Sequence, residues 1–379
     1  MLVQQPREGS PFSNGAYARD VWAQKVSYPL GRKVDVGLLN IHSYDLSDSI
    51  MNSGPTLTPS TNDVTAVDMS YRFSPFISLQ GLYGINLLDD KSRGREPLRD
   101  RAWKMQVRAN NRDSSLAFSG SFYKTGVDYV SLGAPGLVND RKGYDFSGSW
   151  RASNRLSLSS GFSGYHNNVR GVALSRLLND NMSLGAVYLL SPATQLMLNH
   201  FRTGFQTLGA GPFPTENRTW NTSVTLNHAF KGWNFNTSWF ASEFRDYTGI
   251  SPELSTQSTS FNLSRTFRNQ STLSLGHNAN ISENLRTGIL SVNHFSSMNW
   301  SIYVIPDRLI ALVGISQNQS KNVPFVDSVN DLVNLSFAYR IWRNHALGFG
   351  WTWNSSDDHV NPQNSFKDRT FTTNYNTRF

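Results

Sequence analysis

Eight charged residues are the first candidates for chemistry in this chain. Read with a period of two, Asp68, Arg72, Lys104, Arg108, Asp145, Arg151, Arg340 and Arg378 all fall on the polar side of strand-like segments. Six are basic and two acidic. If those segments wall a water path, the bases favour anions, because a low-dielectric wall focuses the field into the water. Arg also grips carboxylate or phosphate through two parallel hydrogen bonds. Acidic residues from infolded loops would cancel that preference and make the same charges simple braces.

Other chemistries have little support. No phosphate-cradling GxxxxGK[ST] or dinucleotide GxGxxG precedes a helix, and no HExxH occurs. His42, His166, His200, His228, His277, His294, His345 and His359 are scattered, with none at metal-ligand spacing. The chain has no Cys, which excludes disulfides, thiolate metal sites and CxxCH haem attachment. No metal and no cofactor are expected. Asn293-His294-Phe295-Ser296-Ser297 resembles the Asn-His-x-Ser order of the outer-membrane phospholipase A family. There the Ser is the nucleophile and the His its base. Ser297-Met298 stands where that family has Asn-Gly, and that family's barrel is smaller. Asp357-Asp358-His359 falls in a predicted outer loop and reads as solvated. The chain is therefore read as not an enzyme.

The elements that carry these charges are short alternating segments. Val67, Met69, Tyr71 and Phe73 alternate with Asp68, Ser70 and Arg72; Trp103, Met105, Val107 and Ala109 alternate with Lys104, Gln106 and Arg108. Tyr144, Phe146, Gly148 and Trp150 alternate with Asp145, Ser147, Ser149 and Arg151. Strand, short turn, strand, long loop recurs along the chain, and strand alternation puts the two sets on opposite faces. Aromatics make up 12% of a chain whose mean hydropathy is −0.41. A wall with an apolar outside and a polar inside suits that combination. A soluble α/β enzyme would need long Val/Ile/Leu runs. A propeller would show a blade repeat of about 40–45 residues. No apolar run reaches the roughly 18–20 residues of a membrane helix. The opening residues have no signal-peptide core, so a mature chain or the C-terminal part of a longer protein is expected.

The last ten residues sharpen this reading. Phe371, Thr373, Tyr375, Thr377 and Phe379 share one face; Thr372, Asn374, Asn376 and Arg378 share the other. That ending resembles the closing strand of Gram-negative outer-membrane β-barrels, in which a terminal Phe preceded by alternating aromatics is read by the assembly machinery. The resemblance implies an all-β fold: a transmembrane antiparallel β-barrel of about 18 strands, with a range of about 16–20, short periplasmic turns and long extracellular loops. It makes Tyr375 and Phe379 the assembly signal. Residues 1–16 are read as a tail or periplasmic lead-in and 17–379 as one barrel. Trp103, Trp150, Trp220, Trp233, Tyr339 and Trp353 lie near strand ends and are expected to form interfacial girdles. Arg265 falls on the apolar side of a strand: near the periplasmic end it could snorkel, whereas at mid-depth it would count against this register.

The expected function is a channel in the outer membrane passing hydrophilic, preferentially anionic solutes. Arg72, Lys104, Arg108, Arg151, Arg340 and Arg378 would line the path. An outer-membrane barrel for secretion or exopolysaccharide export is the alternative, and a structural or partner-binding barrel the next. Expected partners are outer-membrane lipid and lipopolysaccharide, the barrel assembly machinery, a periplasmic or surface protein, and further copies of the chain. With 35 Lys+Arg against 27 Asp+Glu, the net charge of +8 suits an anionic surface or solute; no nucleic-acid partner is expected. Residues 125–142 and 280–298 are the two candidate constriction loops.

Overall fold

The computed structural model describes residues 2–4, 16–50, 59–90, 96–131, 138–210, 214–305, 308–322, 325–342 and 345–377. Among these the chain is all-β apart from two single-turn 3₁₀ segments, Ser47–Ser49 and Pro362–Asn364. In chain order the strands are β1 (Leu2–Gln4), β2 (Ala18–Leu30), β3 (Val34–Leu46), β4 (Ser60–Ser74), β5 (Ile77–Asp90), β6 (Leu98–Asn110), β7 (Leu116–Thr125), β8 (Arg141–Arg151), β9 (Leu156–His166) and β10 (Ser175–Ser191). There follow β11 (Thr194–Gly209), β12 (Glu216–Phe230), β13 (Trp233–Asp246), β14 (Leu254–Thr266), β15 (Thr272–Asn284), β16 (Leu290–Ile305), β17 (Leu309–Asn322), β18 (Val326–Trp342), β19 (His345–Asp358) and β20 (Phe366–Thr377). All but β1 have ten or more residues, enough for a tilted crossing of a bilayer. Residues 280–298, expected as a loop or an extra hairpin, are instead the end of β15, the connection 285–289 and the start of β16.

Two compact units are present: Met1–Arg151 with Ser159–Met182 and Gly204–Glu216, and Ala152–Leu158 with Ser183–Thr203 and Asn217–Phe379. In the first, β1 to β8 pair antiparallel in chain order. Leu2–Gln4, within the stretch read as a tail, adds to β2. Burial is inverted relative to a water-soluble sheet. Trp22, Val26, Tyr28, Val67, Met69, Met105, Phe118 and Phe122 are exposed, Val26 to 70%, while Ser43, Asn62 and Asn86 on the other face are completely buried. A contiguous exposed apolar face of this extent fits hydrocarbon rather than water. Such a solvent offers no hydrogen bonds, so each strand must pair its backbone with a neighbour.

In the second unit β12 to β20 pair antiparallel in chain order. Its apolar band has two visible edges. At the short-turn end Trp233, Arg265, Leu273 and Trp300 stand in register across four strands. At the other end Trp220 faces Glu243. Along β12 the two edges are ten residues apart, from Phe230 (opposite Trp233) to Trp220. At about 3.4 Å per residue and a tilt near 45° that is about 24 Å, the height of an outer-membrane apolar band. Charges begin at that far edge: Arg245 binds Glu243 at 2.6 Å and Glu253 at 3.0 Å, and Arg286 lies 3.6 Å from Glu253. Beyond them, outside the apolar band, Asp246 ties the 247–253 connection. Its carboxylate accepts the Thr248 hydroxyl at 2.6 Å and the Thr248 and Ser251 amides at 3.0 and 2.5 Å. The expected loop asymmetry is uneven. The connections 47–59 and 126–140 of the first unit are long, whereas 285–289 of the second is no longer than the turn 267–271.

Two outcomes are expected. Met105→Arg, on the apolar face, should destabilise the protein by about 2–4 kcal/mol in reversible unfolding from lipid vesicles, and Gln106→Arg, one residue on, should not. The Thr248 hydroxyl, then the Ser251 amide, hold the Asp246 carboxyl down at about 2 from its ordinary 3.8. The turn should therefore keep its full stability above pH 3.8 and lose it as pH falls through about 2. NMR shifts of the Thr248 and Ser251 amides during an acid titration report this directly.

Candidate functional site

The charges singled out in β4 and β6 meet on the polar face of the first unit. Strand register places them in three cross-strand rows: Asp68–Leu82–Lys104, Ser70–Gln80–Gln106 and Arg72–Ser78–Arg108. Asp68, Ser70, Gln80, Leu82, Lys104 and Gln106 line a recess of about 310 Å³. Part of the basic excess is balanced by neighbouring strands. Arg72 Nη2 binds Asp35 Oδ2 at 2.9 Å, and Lys25 Nζ lies 3.2 Å from Asp68 Oδ1. Gly37 stands directly against the Asp68 carboxylate, leaving it the space a side chain would take. Arg108 donates to Gln106 Oε1 at 3.4 Å. Among the described residues, Lys104, Arg108 and Arg151 are in no ion pair, and Asp145 accepts from the Ser121 hydroxyl at 3.3 Å. Of the first-unit charges expected on this face, Arg72 is thus neutralised locally, Arg151 lies close enough to act on Asp113, and Lys104 and Arg108 have no ion-pair partner among the described residues.

Of the two candidate constriction loops, 280–298 is the β15–β16 connection and the strand ends it joins, as described above. The other, within 125–142, does fold onto the polar face. Residues 126–131 lie against β4, β5 and β6 nearer their long-loop ends than the recess. Asn62 Nδ2 donates to Val130 O at 3.0 Å and Asn86 Nδ2 to Asp128 O at 3.2 Å. Tyr129 is buried over Ala66 and Gly84; its hydroxyl stands 2.8 Å from where a Cβ at position 84 would be, so only glycine admits it. Asp100 of β6 accepts the Asp128 amide at 2.9 Å. Arg170, from the connection after β9, clamps the segment with Nη1 to Asp128 at 2.7 Å and Nη2 to Asp100 at 2.8 Å. The Asp128 hydrogen bond, with the field of Asp100, holds the Arg170 guanidinium above its ordinary value. Asp140 fastens the same two connections, accepting the amides of Asn168 and Val169 at 2.9 and 2.8 Å. Sequence reasoning missed Asn62, Asn86, Asp100, Tyr129 and Arg170. The one available signal was the pairing of two small residues, Ala66 and Gly84, which leaves room above them on this face.

The remaining expected residues lie elsewhere. Arg340 is exposed on the polar row of β18 in the second unit. Arg378 and Phe379 lie outside the described residues. Tyr375 is exposed beside Phe371 on the apolar row of β20, with its hydroxyl 2.5 Å from His345 Nδ1. Trp150, Trp233 and Tyr339 sit within three residues of short turns, while Trp103, Trp220 and Trp353 lie toward the opposite strand ends. The phospholipase-like Ser296 meets His277 of the adjacent strand at 2.9 Å, not His294. The pair lies on the row of Leu275 and Met298. Asp358 caps the turn after β19, accepting the amides of Val360 and Asn361, and His359 lies 3.7 Å from Asp327. Among the described residues no group of three or more His, Asp or Glu is arranged to hold a metal.

No protein-family model and no curated protein matches the sequence. Solved outer-membrane structures resemble the fold distantly. The copper transporter OprC aligns with 97% of this chain and 79% of its own, at 10% identity and a TM-score of 0.42. The FrpB iron transporter from Neisseria meningitidis aligns with 94% and 71%, at 10% identity and 0.42. Outer-membrane expressed OmpT of Vibrio cholerae aligns with 97% of both chains, at 10% identity and 0.29. Consecutive antiparallel strands of membrane-crossing length, each with an exposed apolar face and a polar opposite face, give the chain the all-β architecture of a Gram-negative outer-membrane β-barrel. Its place is the outer membrane, crossed many times by strands.

Arg170→Ala should leave the strands intact and loosen residues 126–131. The clamp is partly exposed, so a modest loss is expected: amide exchange at Asp128 and Tyr129 should rise roughly fivefold, as read by hydrogen-exchange mass spectrometry.

Proposed function

We propose that the chain is an outer-membrane channel for small hydrophilic solutes, with a preference for anions set beside the infolded segment. The supporting observation is the Lys104–Arg108 stretch of β6, which has no acidic partner among the described residues on a face where Arg19, Lys25, Arg72 and Arg170 are all paired. Unbalanced cations beside a narrowed, low-dielectric wall raise the local concentration of anions. The infolded segment sets the size limit: it is held by Asn62, Asn86 and Asp100 on strands that the membrane keeps rigid. A diffusion path needs only this wall and no reacting group.

In planar bilayers the purified protein should give stepwise conductance, with a reversal potential in a salt gradient that shows anion preference. Lys104→Glu with Arg108→Glu should lower the anion-to-cation permeability ratio by about fivefold, the effect of ~1 kcal/mol at the path. Arg72→Gln should change it less, because Asp35 already balances that charge. Conductance that ignores the Lys104/Arg108 reversal would remove the anion assignment. Conductance only in the presence of an anionic polymer would favour export.

A further inference from the structure

On the apolar face of the second unit, at the short-turn edge, three cations gather where hydrocarbon ends. Arg265 is the last inward step of that edge on β14, level with Trp233, Leu273 and Trp300. Its guanidinium lies 5.2 Å from the Trp233 ring centre and 4.9 Å from that of Phe267. Lys231 belongs to the turn between β12 and β13. Lys231 and Gly232 both have positive φ, 47° and 83°, the two-residue turn that matches strand twist. Its ammonium lies 5.1 Å from the Phe230 ring. Arg268 is exposed in the next turn. The three line one open recess of about 830 Å³ with Phe267, Trp300 and Ile302. Among the described residues none of the three is in an ion pair.

On the polar face, by comparison, Arg19, Lys25, Arg72 and Arg170 each sit beside a carboxylate. A guanidinium held over aromatic rings still has N–H donors to offer an anion. Lys231 and Arg268 flank it from the turns on either side. Immediately toward the band centre the same face continues as Leu263 and Leu275, a surface for acyl chains. Charge above and hydrocarbon below is the profile of one lipid molecule. A zwitterionic headgroup would bring its own ammonium against three cations, so a net negative headgroup fits best.

We propose that Lys231, Arg265 and Arg268 form a binding site for an anionic phospholipid, its phosphate on the three cations and its chains along the apolar row. The site needs the chain in a membrane but is independent of whether the protein conducts solutes.

Native mass spectrometry of the full chain released from detergent, with equal phosphatidylglycerol and phosphatidylcholine, tests this. Wild type should retain phosphatidylglycerol over phosphatidylcholine by tenfold or more, roughly the effect of two surface cations. Lys231→Gln/Arg265→Gln/Arg268→Gln should bind it roughly 100-fold more weakly, with strand content checked by circular dichroism. Should that triple variant fail to insert, Arg268→Gln alone, in an exposed turn, should weaken retention about fivefold. Millimolar inorganic phosphate should not displace the lipid. Equal retention of the two lipids, unchanged retention in the folded variants, or displacement by phosphate would each overturn the assignment, the last by reducing it to a free-anion site.

Discussion

Everything in this protein follows from one constraint: in hydrocarbon a backbone N–H or C=O has no partner except another strand. Consecutive strands therefore pair with their sequence neighbours, and the pleat then sends alternate side chains to opposite solvents. The exposed row of Trp22, Val26 and Tyr28 and the buried Asn62 and Asn86 are two results of that single arrangement. Burial that would unfold a water-soluble sheet is here the low-energy state.

On the polar face the difficulty is different. Charges set close together in a narrow, low-dielectric setting must be matched or left to water. Strand register solves much of it without loops: Asp35 reaches Arg72, Asp45 reaches Arg19, and Asp68 reaches Lys25. The infolded segment adds a second solution. Its polar backbone is met by Asn62 and Asn86, and its Asp128 and the underlying Asp100 share one guanidinium. Among the described residues, Lys104 and Arg108 stand outside both schemes.

The band edges show the same physics facing lipid. Arg265 on an apolar row is tolerable because it sits at the edge, beside the Trp233 and Phe267 rings, where a long side chain can snorkel. The Glu243–Arg245–Glu253 network begins level with Trp220, about one membrane thickness away by strand rise.

The sequence by itself determined the strands and their faces. Alternation in stretches such as 67–73 and 103–109 is a local signal, since period two depends only on neighbouring residues. It was strong enough to separate Met105 from Lys104 and to put Arg265 on the wrong-looking side. It also left 280–298 undecided, because Glu283, His294 and Ser296 dilute the apolar row of β15 and β16 there. What only the tertiary structure decided was pairing. Arg72 looked like a free cation until Asp35, 37 residues away in sequence, appeared beside it. Arg170 and Asp100, 70 residues apart, gave no hint that they share a clamp. Ion pairs and infolded loops depend on which residues register brings within about 4 Å, and no local pattern encodes that distance.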